Sequence, residues 1–182
     1  MKLNKKKKMI FITGFLISSL VWVLFYAVRE TPQVFSLLIS AVLITFSYTA
    51  MIFDINTKQI PNRIIVLMIT AWVLIISIMM FFDINLAIKT LTDSALGFLL
   101  GGGLFFLVYL LSRKGLGGGD VKFMAAAGLY LGFNATVPAI LYGTILAALT
   151  GSTLILLKKL DRKDTMPLIP FLFAGIMIVS VI

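Results

Sequence analysis

Two aspartates stand at the ends of long apolar stretches, where a carboxylate is costly to keep unless it has a function. Asp120 closes the glycine-rich run 115–120 (GLGGGD), and Asp54 opens the polar run 54–62 (DINTKQIPN). Two carboxyl groups brought close together hold one shared proton. Such a pair supplies a base that activates water and an acid that protonates a leaving group. The two acids therefore predict hydrolytic chemistry at a membrane boundary.

The composition predicts that membrane-spanning helices carry these acids. The chain has 182 residues, 60% of them hydrophobic, and its mean hydropathy is +1.10. A single soluble core cannot bury so much apolar surface. The sequence also lacks the alternating apolar pattern of membrane β-strands. We expect an all-α, polytopic transmembrane bundle of about seven (six to seven) helices, with residues 1–182 forming one membrane-embedded domain.

Seven apolar runs are candidate crossings. They are Met9 to Val28, Val34 to Phe53, Ile64 to Phe82, Ser94 to Leu111, Val121 to Phe133, Val137 to Leu157 and Pro167 to Ile182. The first follows the basic segment 1–8 and lacks a small-residue cleavage site, which predicts a retained signal anchor. The run 121–133 reaches only about 20 Å and could be re-entrant. We interpret it as a short crossing, because a re-entrant turn would place the basic residues 158–163 outside.

The distribution of lysine and arginine predicts the orientation of the chain. If successive loops lie on opposite sides of the membrane, all basic residues except Arg29 and Lys89 lie on one side. The positive-inside rule identifies that side as the cytoplasm. Asp54 and Asp120 then emerge at the same cytoplasmic end of the bundle. We therefore expect a multi-pass protein of the cell membrane whose N-terminal segment 1–8 and reactive site face the cytoplasm.

The residue types that are missing narrow the chemistry. The chain has no cysteine and no histidine, which excludes thiol nucleophiles, thiolate zinc sites and HExxH metalloprotease helices. We expect no metal and no cofactor. The net charge of +9 is typical of topology signals and contacts with anionic lipid, because the basic residues lie between apolar helices and form no nucleic-acid groove.

Small residues predict where helices pack closely. Gly97 and Gly101 are spaced one helical turn apart, Gly143, Ala147 and Gly151 repeat that spacing, and the patch 125–128 is also small. We expect the triplet 101–103 to loosen or kink the fourth helix. Asp93 is expected to cap the start of that helix.

Two motifs resemble a known family. The run 117–120 matches the GxGD signature of intramembrane-type aspartyl proteases. The longer run GGGDVK at 117–122 resembles the prepilin peptidase family. The same family has an aspartate followed by Ile-Pro-Asn, as Asp54 is followed here by residues 60–62. The resemblance extends from about Val34 onward. It implies an aspartic endopeptidase that removes the short basic leader of type IV prepilins or pseudopilins at the cytoplasmic membrane face. Asp54 and Asp120 are then the catalytic residues.

One departure from the family pattern limits the analogy. Larger members carry a tetracysteine zinc segment and also N-methylate the new amino terminus, whereas this chain has no cysteine. It resembles the compact form found with tight-adherence pili, and methyl transfer is not assumed. The expected partners are a prepilin or pseudopilin with a basic leader and an apolar stem, and membrane lipid. The sequence does not define the oligomeric state.

Six further residues are expected to support the acids. Glycines 117–119 (Gly117, Gly118 and Gly119) let a substrate strand approach the backbone. Pro61 and Asn62 shape the turn that presents Asp54 and start the third helix. Lys122 has two interpretations. It influences the ionisation of Asp120 or contacts the substrate, or it is an ordinary lysine that extends to the lipid interface.

Other interpretations of the two acids stay open at this point. Asp120 could cap a helix and Asp54 could be a polar stop at a helix end. A small proton-coupled transporter also uses intramembrane acids, although it favours acids near the bilayer midplane. A structural subunit of a secretion assembly needs neither acid for chemistry.

Overall fold

The computed structural model describes residues 12–20, 23, 34–112, 115–159 and 166–181. Within these ranges the chain forms helices and no strand. The helices are α1 at residues 12–20, α2 at Val34–Thr57, α3 at Asn62–Phe82, α4 at Ile84–Leu111, α5 at Gly118–Leu156 and α6 at Ile169–Val181. The predicted all-α bundle is confirmed for this part of the chain. The basic segment 1–8 and much of the predicted signal anchor lie outside the described residues.

Helices α2, α3, α4 and α5 are each long and apolar enough to cross a membrane. Their outward sides carry large exposed apolar side chains, among them Leu74, Leu99 and Leu110. Such a surface is stable only against lipid, and helices satisfy their backbone hydrogen bonds internally there. The chain is therefore an integral membrane protein.

Helix α5 consists of two antiparallel pieces that meet at Gly132. This glycine has φ +68° and ψ −176°, a conformation that essentially only glycine adopts. A β-carbon on Gly101 of α4 would lie 2.6 Å from the Met124 carbonyl oxygen and 3.3 Å from Thr136 Cγ2. A straight helix would separate residues 124 and 136 by about 18 Å. The chain therefore reverses between them, close to the predicted boundary of the short crossing at Phe133.

The prediction for Asp93 and the start of α4 was wrong. Helix α4 begins at Ile84 rather than Ser94, and its N-cap is Asp83, whose side chain accepts a hydrogen bond from the Leu86 backbone N–H at 3.0 Å. Asp93 instead accepts one from the Phe133 N–H at 3.0 Å, across to α5. Hydropathy missed the first turns of α4 because they are rich in polar side chains.

Close packing is confirmed at Gly97, Gly101 and Gly143 but not at Gly151, where a β-carbon would make an ordinary contact with Met166. Gly97 and Gly128 meet backbone to backbone, and a β-carbon on either would collide with the carbonyl oxygen of the other. Gly143 of α5 packs similarly against Leu172 of α6. The kink expected at 101–103 is absent, because α4 is continuous from Ile84 to Leu111 and its small residues pack against α5.

Helix α5 packs against α2, α3, α4 and α6, and its first half occupies the centre of the bundle. The core there contains Leu43, Met68, Phe123 and Leu172, from α2, α3, α5 and α6, all at most 2% exposed. The buried Tyr130 hydroxyl donates to the Met68 carbonyl and ties α5 to α3. This packing brings the end of α2 together with the starts of α3, α5 and α6.

Candidate active site

A cavity of about 420 Å³ opens where α2 ends and α3, α5 and α6 begin. Both predicted catalytic acids line it. The lining residues are Asp54, Lys58, Gln59, Ile60, Asn62, Gly115, Gly117, Gly118, Gly119, Asp120, Lys122, Met166, Pro167 and Leu168. Two acids that are remote in sequence therefore share one cavity, as the predicted topology required.

Asp54 lies in the last turn of α2 on its buried face. Leu43, Ser47, Ala50 and Asp54 follow helical spacing along that face, and Asp54 is only 5% exposed. Its Oδ2 accepts a hydrogen bond from the Ile169 backbone N–H at 3.0 Å. Ile169 is the first residue of α6, whose N–H has no acceptor within its own helix. Asp54 is thus more than a polar stop, because it caps another helix.

Asp120 is the third residue of α5 and is partly buried. Its Oδ2 accepts a hydrogen bond from the Gly117 N–H at 3.2 Å, and its own N–H donates to the Gly117 carbonyl at 3.1 Å. The capping role considered for Asp120 is therefore present in the fold. Capping does not remove Asp120 from the cavity, and the charge of Asp54 acts on it electrostatically.

The glycines before Asp120 form an open wall of the cavity. A β-carbon on Gly117 would lie 3.1 Å from Asp120 Oδ2, so a side chain there would crowd the carboxyl group. A β-carbon on Gly118 would meet nothing within 4 Å, whereas one on Gly119 would lie 3.4 Å from Ile60. The exposed backbone at Gly118 leaves room for an extended peptide to approach.

Two lysines flank the acids. Lys58 directly follows α2 in a left-handed conformation with φ 51°, one turn after Asp54, and its positive charge acts on Asp54. Lys122 is exposed at the cavity, where its Nζ donates to Asn62 Oδ1 at 3.1 Å. The pair formed by Lys122 and Asn62 joins the starts of α5 and α3.

Pro61 is the predicted supporting residue that does not line the cavity. It is the N-cap of α3, with φ −61° and ψ 131°, and its carbonyl accepts a hydrogen bond from the Ile64 N–H at 3.0 Å. Asn62 follows as the first residue of the helix. Pro61 therefore lies in the turn between Asp54 and α3.

Sequence reasoning missed the segment 166–169, which closes the cavity and holds Asp54. Met166, Pro167 and Leu168 line the cavity, and Ile169 donates the hydrogen bond to Asp54. A signal was available, because the run beginning at Pro167 was predicted to start a helix on the same side as the acids. A helix N-terminus attracts a carboxylate.

The remaining described acids lie away from the cavity. Asp83 caps α4, and Asp93 lies at the turn of α5 beside Gly132. Glu30, Asp161 and Asp164 lie outside the described residues. The geometry thus groups two of the described acids, Asp54 and Asp120, at one cavity.

Comparison with known proteins identifies a family. The model of the type IV leader peptidase family matches residues 41–152, a range that includes both cavity acids. The comparison with solved structures found no match.

Curated relatives agree with that match. The prepilin leader peptidase/N-methyltransferase of Bacillus subtilis (strain 168) is 31% identical over 129 residues, 67% of this chain and 46% of the relative. The protein of the same name from Aeromonas hydrophila is 27% identical, over 74% of this chain and 46% of the relative. The one from Escherichia coli (strain K12) is 28% identical, over 69% of this chain and 53% of the relative. The chain spans about half the length of these relatives.

Proposed function

The chain belongs to the type IV leader peptidase family, and on that basis we propose that it is an aspartic endopeptidase of the membrane that removes the short basic leader of type IV prepilins or pseudopilins. One observation carries the proposal. Two carboxyl groups, Asp54 and Asp120, come from distant parts of the chain and line one cavity at one end of a helical membrane bundle. Their roles rest on this placement and on the motif around Asp120.

The chemistry follows from one proton shared by two carboxyl groups. The ionised carboxylate removes a proton from a water molecule whose oxygen attacks the scissile carbonyl carbon. The protonated carboxyl group meanwhile donates a hydrogen bond to the carbonyl oxygen. The C–N bond then breaks, and the leaving amine receives a proton from the pair. No covalent intermediate forms.

The cavity suits a short extended segment of a peptide. Its volume of about 420 Å³ accommodates the residues around a scissile bond and the attacking water. The open backbone at Gly118 lets a substrate strand pass close to Asp120. The apolar stem of the precursor lies in lipid beside the bundle, which positions the scissile bond at the acids.

Basic residues support the assignment of the cavity to the cytoplasmic face. Lys58 and Lys122 line the cavity, and Arg63 is exposed next to Asn62 at the same end. Clustering of lysine and arginine at one end of a bundle marks the cytoplasmic side. The basic leader of a precursor stays on that side.

The proposal is confined to leader cleavage. The curated relatives carry N-methyltransferase in their name as well, but this chain spans about half of their length. Proton-coupled transport gains no support from the geometry, because Asp54 and Asp120 lie at one end of the helices that carry them. An ion-flux assay in liposomes tests that function directly.

The proposal is tested by co-expression with a precursor that has a basic leader, a glycine and a long apolar stem. Leader removal is followed by mass spectrometry for the wild type, Asp54→Asn and Asp120→Asn. We expect cleavage beside the glycine by the wild type and a loss of about 10³-fold or more in each variant. Asp83→Asn is the matched control, because Asp83 is an exposed acid that caps α4 away from the cavity.

Two results would contradict the proposal. Processing at the wild-type rate by either cavity variant removes that residue from the catalytic pair. A folded wild type that leaves the precursor intact removes the peptidase function itself.

A further inference from the structure

Asp54 and Asp120 are held by different parts of the fold. Asp54 is bound through Oδ2 to the Ile169 N–H, which belongs to another helix and is 115 positions away. Asp120 is bound through Oδ2 to the Gly117 N–H, within the turn that begins its own helix. The hydrogen bond to Asp54 is the shorter, at 3.0 Å against 3.2 Å.

The donor to Asp54 is the first N–H group of a helix. The Leu168 carbonyl accepts from the Phe171 and Leu172 N–H groups, which makes Leu168 the N-cap of α6 and Ile169 its first helical residue. Ile169 is fully buried and Asp54 is 5% exposed. The hydrogen bond therefore lies out of water. Burial penalises an ionised carboxylate there, and the N–H at this helix N-terminus offsets part of that penalty.

Of the charged groups around Asp54, Lys58 favours its ionised form, and Asp120 does not oppose that form when Asp120 itself carries the proton. From α2 it faces Lys58, whose positive charge acts on it. From α5 it faces Asp120 and, farther around the cavity, Lys122, which donates to Asn62 of α3. The segment 166–169 contributes only apolar side chains and backbone N–H groups.

We infer that the two acids have fixed roles: Asp54 is the ionised general base, held by the Ile169 N–H, and Asp120 carries the shared proton. Ile169 is a positioning residue that acts through its backbone. This inference rests on the proposed function, since it assigns the acid and the base within that reaction. Asp54 then takes the proton from water, while Asp120 donates a hydrogen bond to the substrate carbonyl oxygen and gives its proton to the leaving amine. The proton held by Asp54 passes to Asp120 before the next turnover, which restores the pair.

An amide-to-ester replacement at residue 169 tests the inference, because it deletes the N–H and keeps the isoleucine side chain. The pH dependence of kcat for precursor cleavage is measured in the full chain. Loss of the donor makes ionised Asp54 easier to protonate. The acidic limb of the pH profile reports protonation of Asp54, and we expect it to move to higher pH by about one unit. The basic limb reports loss of the proton from Asp120 and should stay in place.

The same replacement at residue 117 is the mirror experiment, because it deletes the N–H that Asp120 accepts. We expect the basic limb to move to higher pH and the acidic limb to stay. The opposite pattern, with the basic limb moved by the ester at 169 and the acidic limb by the ester at 117, reverses the two roles and overturns the inference.

Ordinary mutagenesis supplies a second route. Proline is well tolerated at the first position of a helix and lacks the N–H, so Ile169→Pro should reproduce the acidic-limb shift. Ile169→Ala loses side-chain volume and keeps the N–H, so its acidic limb should stay at the wild-type pH. An equal shift in both variants, or no shift in a folded proline variant, overturns the inference.

These outcomes separate the inference from the function on which it rests. If the wild type cleaves, both aspartates are required and the limbs do not move, only the assignment of roles fails. If the folded wild type does not cleave, the proposed function fails first.

Discussion

The ammonium group of Lys122 donates a hydrogen bond to the amide oxygen of Asn62 at 3.1 Å, and this contact joins the N-terminal part of α5 to the first turn of α3 beside both cavity acids. Asn62 follows the turn that leads away from Asp54, and Lys122 follows Asp120 by two positions. The pair therefore connects the two segments that present the acids. The lysine of the motif around Asp120 and the asparagine of the motif after Asp54 therefore contact each other directly.

This contact predicts coupled effects on activity. Lys122→Met and Asn62→Ala should each reduce precursor cleavage several-fold, and the double variant should be little worse than either, because one hydrogen bond is lost in all three. Both residues are exposed, so each change should cost about 1 kcal/mol of stability or less.

A double-mutant cycle on kcat/KM measures this coupling. Arg63→Gln is the control, because Arg63 is exposed beside Asn62 and does not line the cavity. Losses that simply add in the double variant would show that Lys122 and Asn62 act independently.

Gly132 should tolerate no side chain. Gly132→Ala places a β-carbon at φ +68° and directly against the Asp93 carboxylate, so we expect a loss of about 1–3 kcal/mol. Unfolding in detergent micelles measures the change. Gly151→Ala in the same helix is the control, since its β-carbon would lie 3.4 Å from Met166 Cε, an ordinary contact. Equal stability of the two variants would contradict the strained turn.

Asp93 should stabilise the fold as a cap across two helices. Asp93→Ala removes the acceptor for the Phe133 N–H and should cost about 0.5–2 kcal/mol. Asp93→Asn keeps a capping oxygen and should recover most of that loss. Thermal unfolding of both variants in micelles provides the comparison. If the asparagine variant is as unstable as the alanine variant, the negative charge matters more than the hydrogen bond.

The meeting point of α4 and α5 should be intolerant of added volume. Gly97→Ala and Gly128→Ala each insert a methyl group against a backbone carbonyl, and we expect a loss of about 1–3 kcal/mol in each case. Gly103 lies in the same helix as Gly97 but is exposed, and a β-carbon there would meet nothing within 4 Å, so Gly103→Ala should be neutral or slightly stabilising. Denaturation in mixed micelles ranks the three variants. Comparable losses for all three would indicate that helix flexibility, rather than close packing, explains these glycines.

Hydropathy predicted most of the helices because a membrane span depends on local composition. The runs from Val34 and from Ile64 correspond to α2 and α3 within a few residues. The start of α4 was misplaced because its first turns are polar, and helix formation there depends on the Asp83 cap and on packing. The spacing of the glycines identified helix faces that pack together, because two helices can approach closely only where their facing residues are small.

The sequence by itself determined the membrane bundle, the absence of thiol and imidazole chemistry, and the two acids that the Asp120 and Asp54 motifs single out. Only the tertiary structure decided that Ile169 holds Asp54 and that Phe133 is capped by Asp93. The physical reason is that the orphan N–H groups at a helix start can be satisfied by any carboxylate brought near them. Which carboxylate arrives depends on how the helices pack, and no local pattern in the chain records that choice.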